Sequence, residues 1–279
     1  MASFLERAIL SVLNQNYINL EYIIIDGGST DGSVDIIKKY EQHLAYWISE
    51  NDSGQSDALN KGFRRCSGEI IAWLNSDDYY EPGTLEKVNK WFVDNPDRNM
   101  LVGGCRMFGA DIRANNIQPK VVTKNTLCKY WESYFIPPQP SIFFTKHIFD
   151  KTGYLDTRLN YAMDLDLWLR MSRFEDFCCI PDILSNYEVH NESKTGSTNG
   201  FDKFRQEWKL VCSRFIKTMP IKFRSKLACG KYIFKLKYFL NYLIKILKNG
   251  LLYLLGKGVQ YLKNIFGIKR IGLFSAEEK

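Results

Sequence analysis

Acidic side chains at two places in the N-terminal half are the first candidates for chemistry. Asp26 closes the run EYIIID, and in IIAWLNSDDYYEPG the residues Asn75, Ser76, Asp77 and Asp78 follow five mostly apolar ones. Carboxylates at the ends of buried strands suit a cation, or a ligand rich in hydrogen-bond donors. The plainer reading is that such acids cap the helices that follow them. That reading is favoured for Asp31, whereas two adjacent acids at 77 and 78 exceed what a cap needs.

The elements that position these acids alternate. Ser3 and Glu6 have capping-box spacing, and Phe4, Leu5, Ala8, Ile9, Val12 and Leu13 recur at helical spacing. A β-branched strand then ends on Asp26, and GGSTDGS turns into a helix carrying Val34, Ile37 and Tyr40. AYWISE is a short strand, GQSDALNKGFRR a helix, and EIIAWL a second buried strand. PGTLEKVNKWFV is a helix with Pro82 near its start, and MLVGGCRMF is a further strand. Such alternation predicts an α/β fold with a mostly parallel sheet covered by helices on both faces. Open sheets of that kind bind ligands beyond the carboxyl ends of their strands, where both acid sites fall.

Four segments, in this order, resemble the inverting family 2 glycosyltransferases of the GT-A fold: EYIIIDGGSTDGS, SGQSDALNKGF, GEIIAWLNSDDYYEPG and NYAMDLDLWLRM. The resemblance runs from about Phe4 to Thr195. It implies a nucleotide-sugar donor lying on the sheet, with Mg2+ or Mn2+ bridging its diphosphate. An acceptor hydroxyl then attacks the anomeric carbon and inverts it. Asp77 falls on the last place of the family's D-x-D motif and is the implied metal ligand, with Asp78 beside it as a helper at the donor. The first place is Asn75, which can hydrogen-bond a ribose but brings no charge. Asp26 falls on the base-contacting position, which favours a UDP- or dTDP-linked sugar. Ser29 and Asp57 are assigned to the same donor site. Asp164, in MDLDLWLRM, falls on the general base, although Met163 stands where the family usually has Glu. Asp166 reads as supporting structure and Trp168 as core. QPSIFF from Gln139 resembles the acceptor-facing segment. His190, in YEVHNESKTGS, matches a loop near the diphosphate and is the second candidate metal ligand; Lys194 is a candidate phosphate contact.

The remainder of the chain sets the context. Its 279 residues carry seven scattered cysteines without a C-x-x-C pair, which suits reduced thiols in a cytosolic protein. No basic segment followed by an apolar run opens the chain, so no secretory signal is expected. From Pro220 onward 13 Lys and Arg face two Glu, leaving 25 Lys and Arg against 29 Asp and Glu before it. The excess of positive charge belongs to the tail, a pattern unlike that of a nucleic-acid binder. The tail interleaves lysines with Leu, Ile, Phe and Tyr and offers no uncharged run of the roughly 18–20 residues that span a bilayer. We therefore expect a glycosyltransferase domain over 1–219, with a nucleotide-sugar half to about 108 and an acceptor half from about 109. Residues 220–279 are expected to form basic amphipathic helices on an anionic membrane surface, at the inner face, near a glycan or lipid-linked acceptor.

Two other readings compete. A phosphatase of the haloacid dehalogenase type, suggested by SDD and DLDL, would place its D-x-D early and its acid pair late; the order here is reversed. A non-catalytic relative that binds a glycan or partner is the stronger rival. In the family a strand precedes the first helix and lies near the middle of the sheet, and here the helix starts at about Ser3. Without that strand, the strands ending at Asp26 and Leu74 are expected to pair directly, with weak donor binding and low stability.

Overall fold

The computed structural model describes residues 1–109, 112–129, 137–191, 193–194, 200–237, 239–242 and 244. Met1–Arg224 form one compact unit, and the chain from Ser225 belongs to a second. Residues 245–279 of the basic tail lie outside the described residues.

The first unit begins with α1 (Ala2–Leu13), β1 (Ile23–Asp26), α2 (Ser33–Lys39), β2 (Tyr46–Ser49) and α3 (Gln55–Arg65). Then come β3 (Ile70–Ile71), β4 (Tyr79–Tyr80), α4 (Thr84–Asp94), β5 (Met100–Gly109), β6 (Ile112–Ile117) and α5 (Lys124–Leu127). The last elements are β7 (Ile142–Thr145), α6 (Lys146–Thr152), α7 (Met163–Met171), β8 (Cys178–Val189) and α8 (Gly200–Lys217). The strands form two sheets. β1 and β2 pair in parallel, while the larger sheet runs β3-β7-β5-β8-β4, with β6 also on β5.

The α/β class expected from the sequence holds. The expectation of a mostly parallel sheet does not, because only β1–β2 and β5–β8 are parallel among the described pairs. Helix-strand alternation implies parallel neighbours only where a helix carries the chain back across the sheet, as α2 does between β1 and β2. Two residues separate β5 from β6, and so short a link reverses the chain.

The start of α1 also departs from the expected capping box. The helix begins at Ala2, and the Asp31 carboxylate accepts from the Ala2 amide at 3.0 Å and from the Ser33 amide at 3.1 Å. One acid thus serves the first turns of two helices. Glu6 turns away to accept from the Tyr40 hydroxyl at 2.7 Å. Leu5 and Ile9 pack on Ile37 of α2, and Val12 enters the main core with Tyr80, Val88, Phe92, Leu101, Phe143 and Leu184.

β1 and β3 start side by side. The Glu21 carboxylate accepts from the Ser67 amide at 2.7 Å and the Gly68 amide at 3.0 Å. Yet no ladder joins the two strands among the described residues, so the expected direct pairing does not form. β1 keeps one unpaired edge, β3 keeps another, and Ile23, Ile24 and Ile25 are only half-buried. An apolar β-branched strand in an α/β sheet ordinarily has neighbours on both sides. A strand-forming segment fused ahead of Met1 is therefore expected to raise Tm by on the order of 5 °C, at about 2–4 °C per kcal/mol gained. It is also expected to slow amide exchange at Ile23–Asp26. Unchanged melting and exchange would show that both edges are already satisfied.

Candidate active site

Strand register builds the first half of the site. β4 runs antiparallel to β8, with Tyr79 opposite Asn186 and Tyr80 opposite Ser185. Continued past the end of β4, that register opposes Asp77 to Glu188, and His190 lies two residues further on the same face. Asp77 Oδ2 accordingly lies 3.1 Å from His190 Nε2, and both side chains are largely covered. α1 braces the pair. Phe4 stacks on the His190 ring with centroids 4.5 Å apart. Arg7 pairs with Glu188, donates to the Asp77 carbonyl at 3.4 Å, and lies over the Tyr79 ring.

Asp78 faces the other way. It is fully buried, with Oδ2 accepting from Asn75 Nδ2 at 3.0 Å and Oδ1 without a partner among the described residues. Burial, and then the neighbouring Asp77, push its carboxyl well above the ordinary range. Its role in this conformation is internal rather than that of a surface helper at the donor. Asn75 is the hub of the segment. Its Oδ1 accepts from Gln55 Nε2 at 2.7 Å, and its Nδ2 also donates to Gln139 Oε1 at 3.1 Å. Both ends of the amide are engaged, which an aspartate could not reproduce.

The network continues to the second half. Lys194 Nζ donates to Gln55 Oε1 and to the Asn160 carbonyl, each at 2.8 Å. Asn160 leads into α7, whose first turn carries Asp164. Burial pushes the Asp164 carboxyl up to about 6, against hydrogen bonding from the Leu165 amide. Asp166 holds Arg170 at 2.8 Å, and Arg170 donates to the carbonyls of Thr152, Gly153 and Tyr154. Trp168 is buried and stacked on Trp73 at 5.1 Å, so both belong to the core.

Asp26 stands at the end of β1. Burial draws its carboxyl upward, but hydrogen bonds from Ser29, Ser49 and Gly28 outweigh that and hold it below the usual range. The Gly28 and Ser29 amides and the Ser49 hydroxyl bond to Oδ2, and the Ser29 side chain also hydrogen-bonds the carboxylate. Gly28 has φ +83° and passes so close to Asn51 that a Cβ would meet Asn51 Oδ1 at 2.5 Å. Asp57 accepts from the Ser53 amide at 3.1 Å and pairs with Lys61, a helix-start role.

The residues expected to hold a metal are thus adjacent, although no group of three or more His, Cys, Asp or Glu side chains is gathered for one among the described residues. Asp77 and the imidazole of His190 fit Mn2+, which takes both oxygen and nitrogen donors, if diphosphate oxygens complete the shell. Phe4, Arg7, Gln55 and Glu207, whose carboxylate accepts from the Tyr161 amide at 2.7 Å, belong to the site's framework, a role the sequence does not mark.

These features define a GT-A-type fold, and comparison with solved structures agrees. S. aureus TarS 1–349 in complex with UDP matches at TM-score 0.58 and 16% identity, over 81% of this chain and 64% of that one. The mannosyltransferase PcManGT from Pyrobaculum calidifontis, in complex with GDP-Man and Mn2+, matches at TM-score 0.51 and 15% identity, over 84% of this chain and 77% of that one. The chain thus spans slightly less than two thirds of the TarS fragment. The family model for glycosyl transferase family 2 matches residues 2–154, and the chain belongs to that family. An uncharacterised glycosyltransferase of Rickettsia typhi is 27% identical over 227 residues, covering 77% of this chain and 70% of its own length. One of Mycobacterium tuberculosis is 30% identical over 168 residues, covering 60% and 63%.

Asn75→Asp tests the hub. It removes the donor to buried Asp78 and adds a third carboxylate beside it, so stability at pH 7 is expected to fall by about 2–4 kcal/mol. Carboxyls whose pKa is raised by folding lose stability as pH rises through that window, so the penalty should be smallest below about pH 4 and grow above it. Denaturant titrations of both proteins at pH 4 and pH 7 measure this, and an equal penalty at both would refute the assignment.

Proposed function

We propose that this family 2 glycosyltransferase moves a sugar from a UDP- or dTDP-linked donor to an acceptor hydroxyl, with inversion, in the synthesis of a cell-surface polysaccharide or lipid-linked glycan. The observation that carries this reading is the network from Asn75 through Gln55 and Lys194 to Asn160, which ties the Asp77 segment to the helix bearing Asp164. Supporting it, TarS is described with UDP and UDP-GlcNAc, and the Pyrobaculum enzyme with GDP-Man and Mn2+.

In this reading the Asp26 carboxylate accepts from the imide N–H of uracil or thymine, while Ser29 lines the nucleotide side. Mg2+ or Mn2+, held by Asp77 and His190, would supply positive charge at the diphosphate leaving group. Lys194 lies on the same network and adds a second cation near the phosphates. Asp164 takes the proton of the acceptor hydroxyl as its oxygen bonds to the anomeric carbon, and the bond to the diphosphate breaks with its electron pair. A carboxyl near pKa 6 is a stronger base than an ordinary carboxylate and is still mostly ionised at pH 7.

A second reading, a GT-A relative that binds donor or glycan without turnover, draws on the break between β1 and β3. Metal-dependent hydrolysis of donor without acceptor separates the two. Asp77→Ala is expected to abolish both metal-enhanced donor binding and turnover. Asp164→Asn is expected to leave donor affinity within about twofold while kcat falls at least a hundredfold, because a base acts only in the transition state. In the native chain kcat/KM is expected to rise with pH through about 6 as Asp164 deprotonates. Equal loss of donor binding in both variants would reverse these roles.

The tail supports a location at a membrane surface. The backbone is helical over 221–237, and Ile221, Tyr232, Leu236 and Phe239 are exposed among lysines. No described helix is long and apolar enough to cross a membrane. We place this segment on the anionic inner face of a membrane, apolar side down and lysines at the headgroups. The full chain is expected to bind anionic vesicles and release at high salt, since charges are screened beyond about 10 Å at 0.1 M. A truncation ending at Met219 is expected to stay in solution. Equal binding to neutral and anionic vesicles would remove the electrostatic part.

A further inference from the structure

α7 lacks a cap of its own. Its N-cap residue is Ala162, whose methyl group accepts nothing, so the free amides at the start of the helix need a partner from elsewhere. Glu207 of α8 provides one for the Ala162 amide at the N-cap and holds the two amides that precede it. The Glu207 carboxylate accepts from the Asn160, Tyr161 and Ala162 amides at 3.1, 2.7 and 3.0 Å. A negative charge here also meets the positive end of the helix. On its other side Asn160 is gripped through its carbonyl by Lys194 at 2.8 Å. The segment entering α7 is therefore held between an acid from α8 and a cation from the loop after β8, and Asp164 follows two residues later.

We propose that Glu207 is a positioning residue for sugar transfer, setting the first turn of α7 and through it the direction of Asp164. This rests on the reading of Asp164 as the base. The remainder of α7 does not need Glu207, since Leu165, Leu167, Trp168, Leu169 and Met171 are buried. α8 is anchored independently by Phe204, Val211, Cys212 and Phe215, and by Trp208, whose indole donates to the Leu127 carbonyl at 3.1 Å. Loss of the Glu207 carboxylate therefore loosens one turn rather than the fold. The charged groups acting on Asp164 are Lys194, which favours its ionised form, and Glu207, which opposes it. Removing the Glu207 charge and admitting water at the first turn both draw the Asp164 carboxyl downward.

The test uses the full chain with 13C-labelled aspartate carboxyls and needs no ligand. Asp164→Asn identifies the Asp164 signal by its disappearance. In Glu207→Ala the Asp164 titration is expected to move from about 6 toward the ordinary carboxylate range. The Tyr161 and Ala162 amides should exchange at least tenfold faster, while the main melting transition persists. Glu207→Gln keeps one acceptor oxygen without the charge, so it should restore part of the amide protection and still shift the titration. An unmoved Asp164 signal with unaltered exchange at 161 and 162 in Glu207→Ala overturns the inference. So does an Asp164 shift without faster exchange, which would reduce Glu207 to a distant charge. The base reading fails on a different measurement: turnover of UDP-GlcNAc or another UDP- or dTDP-sugar by Asp164→Asn at the native rate. That result would remove the catalytic meaning of Glu207 along with it.

Discussion

The site depends on one amide. Asn75 has to give hydrogen atoms to buried Asp78 and to Gln139 while taking one from Gln55. No carboxylate can do both, and no apolar residue can do either. A fully buried acid with one orphan oxygen is costly, so a donor on its other oxygen is what allows the segment to sit there. Gln139 in turn donates to the Trp73 carbonyl at 2.8 Å, closing a ring of contacts around the end of the strand. The departure from the D-x-D pattern at position 75 is thus explained locally. Where a family acid would add charge, this chain uses an amide to hold a neighbouring acid inside the protein.

From that hub the polar contacts run in one direction. Gln55 opens α3, Lys194 follows β8, and Asn160 precedes α7, so three separate stretches of chain meet in a line. α3 is fixed to the same neighbourhood a second way. Asn60 exchanges two hydrogen bonds with the Leu155 backbone, at 3.0 and 2.9 Å, and Ser56 reaches the Leu159 carbonyl at 3.1 Å. α3 is therefore tied to the segment that precedes α7, in contacts that lie 95 and 103 residues apart in the chain.

What the sequence made legible were the features with local signatures. Alternating strands and helices gave the α/β class, and the β-branched run before Asp26 and the short apolar run before Asn75 each marked a strand, although the second extends only over Ile70–Ile71. Asp164 at the start of a helix follows from the resemblance carried by MDLDLWLRM, and Trp168 within the core from the apolar residues around it. Illegible features all depend on a partner remote in sequence. Ser3 looks like a cap until the Asp31 carboxylate takes the Ala2 amide from 29 residues away. Asp78 looks like a second surface acid until its burial is known. Gln55 and Glu207 resemble any polar residue on a helix, because their partners lie 20 and about 46 positions off. Strand direction was misjudged because periodicity marks a strand without saying which neighbour it will take.

The stacked indoles of Trp73 and Trp168 join the two halves in another sense. Trp73 lies two residues before Asn75, Trp168 one helical turn after Asp164, and their rings are 5.1 Å apart at 19°. Two indoles so close and so nearly coplanar couple their electronic transitions, and the strength of that coupling depends on separation and angle. The molecule therefore carries an optical ruler across the candidate site. Near-ultraviolet circular dichroism reads the spacing between the Asn75 segment and α7 without a label.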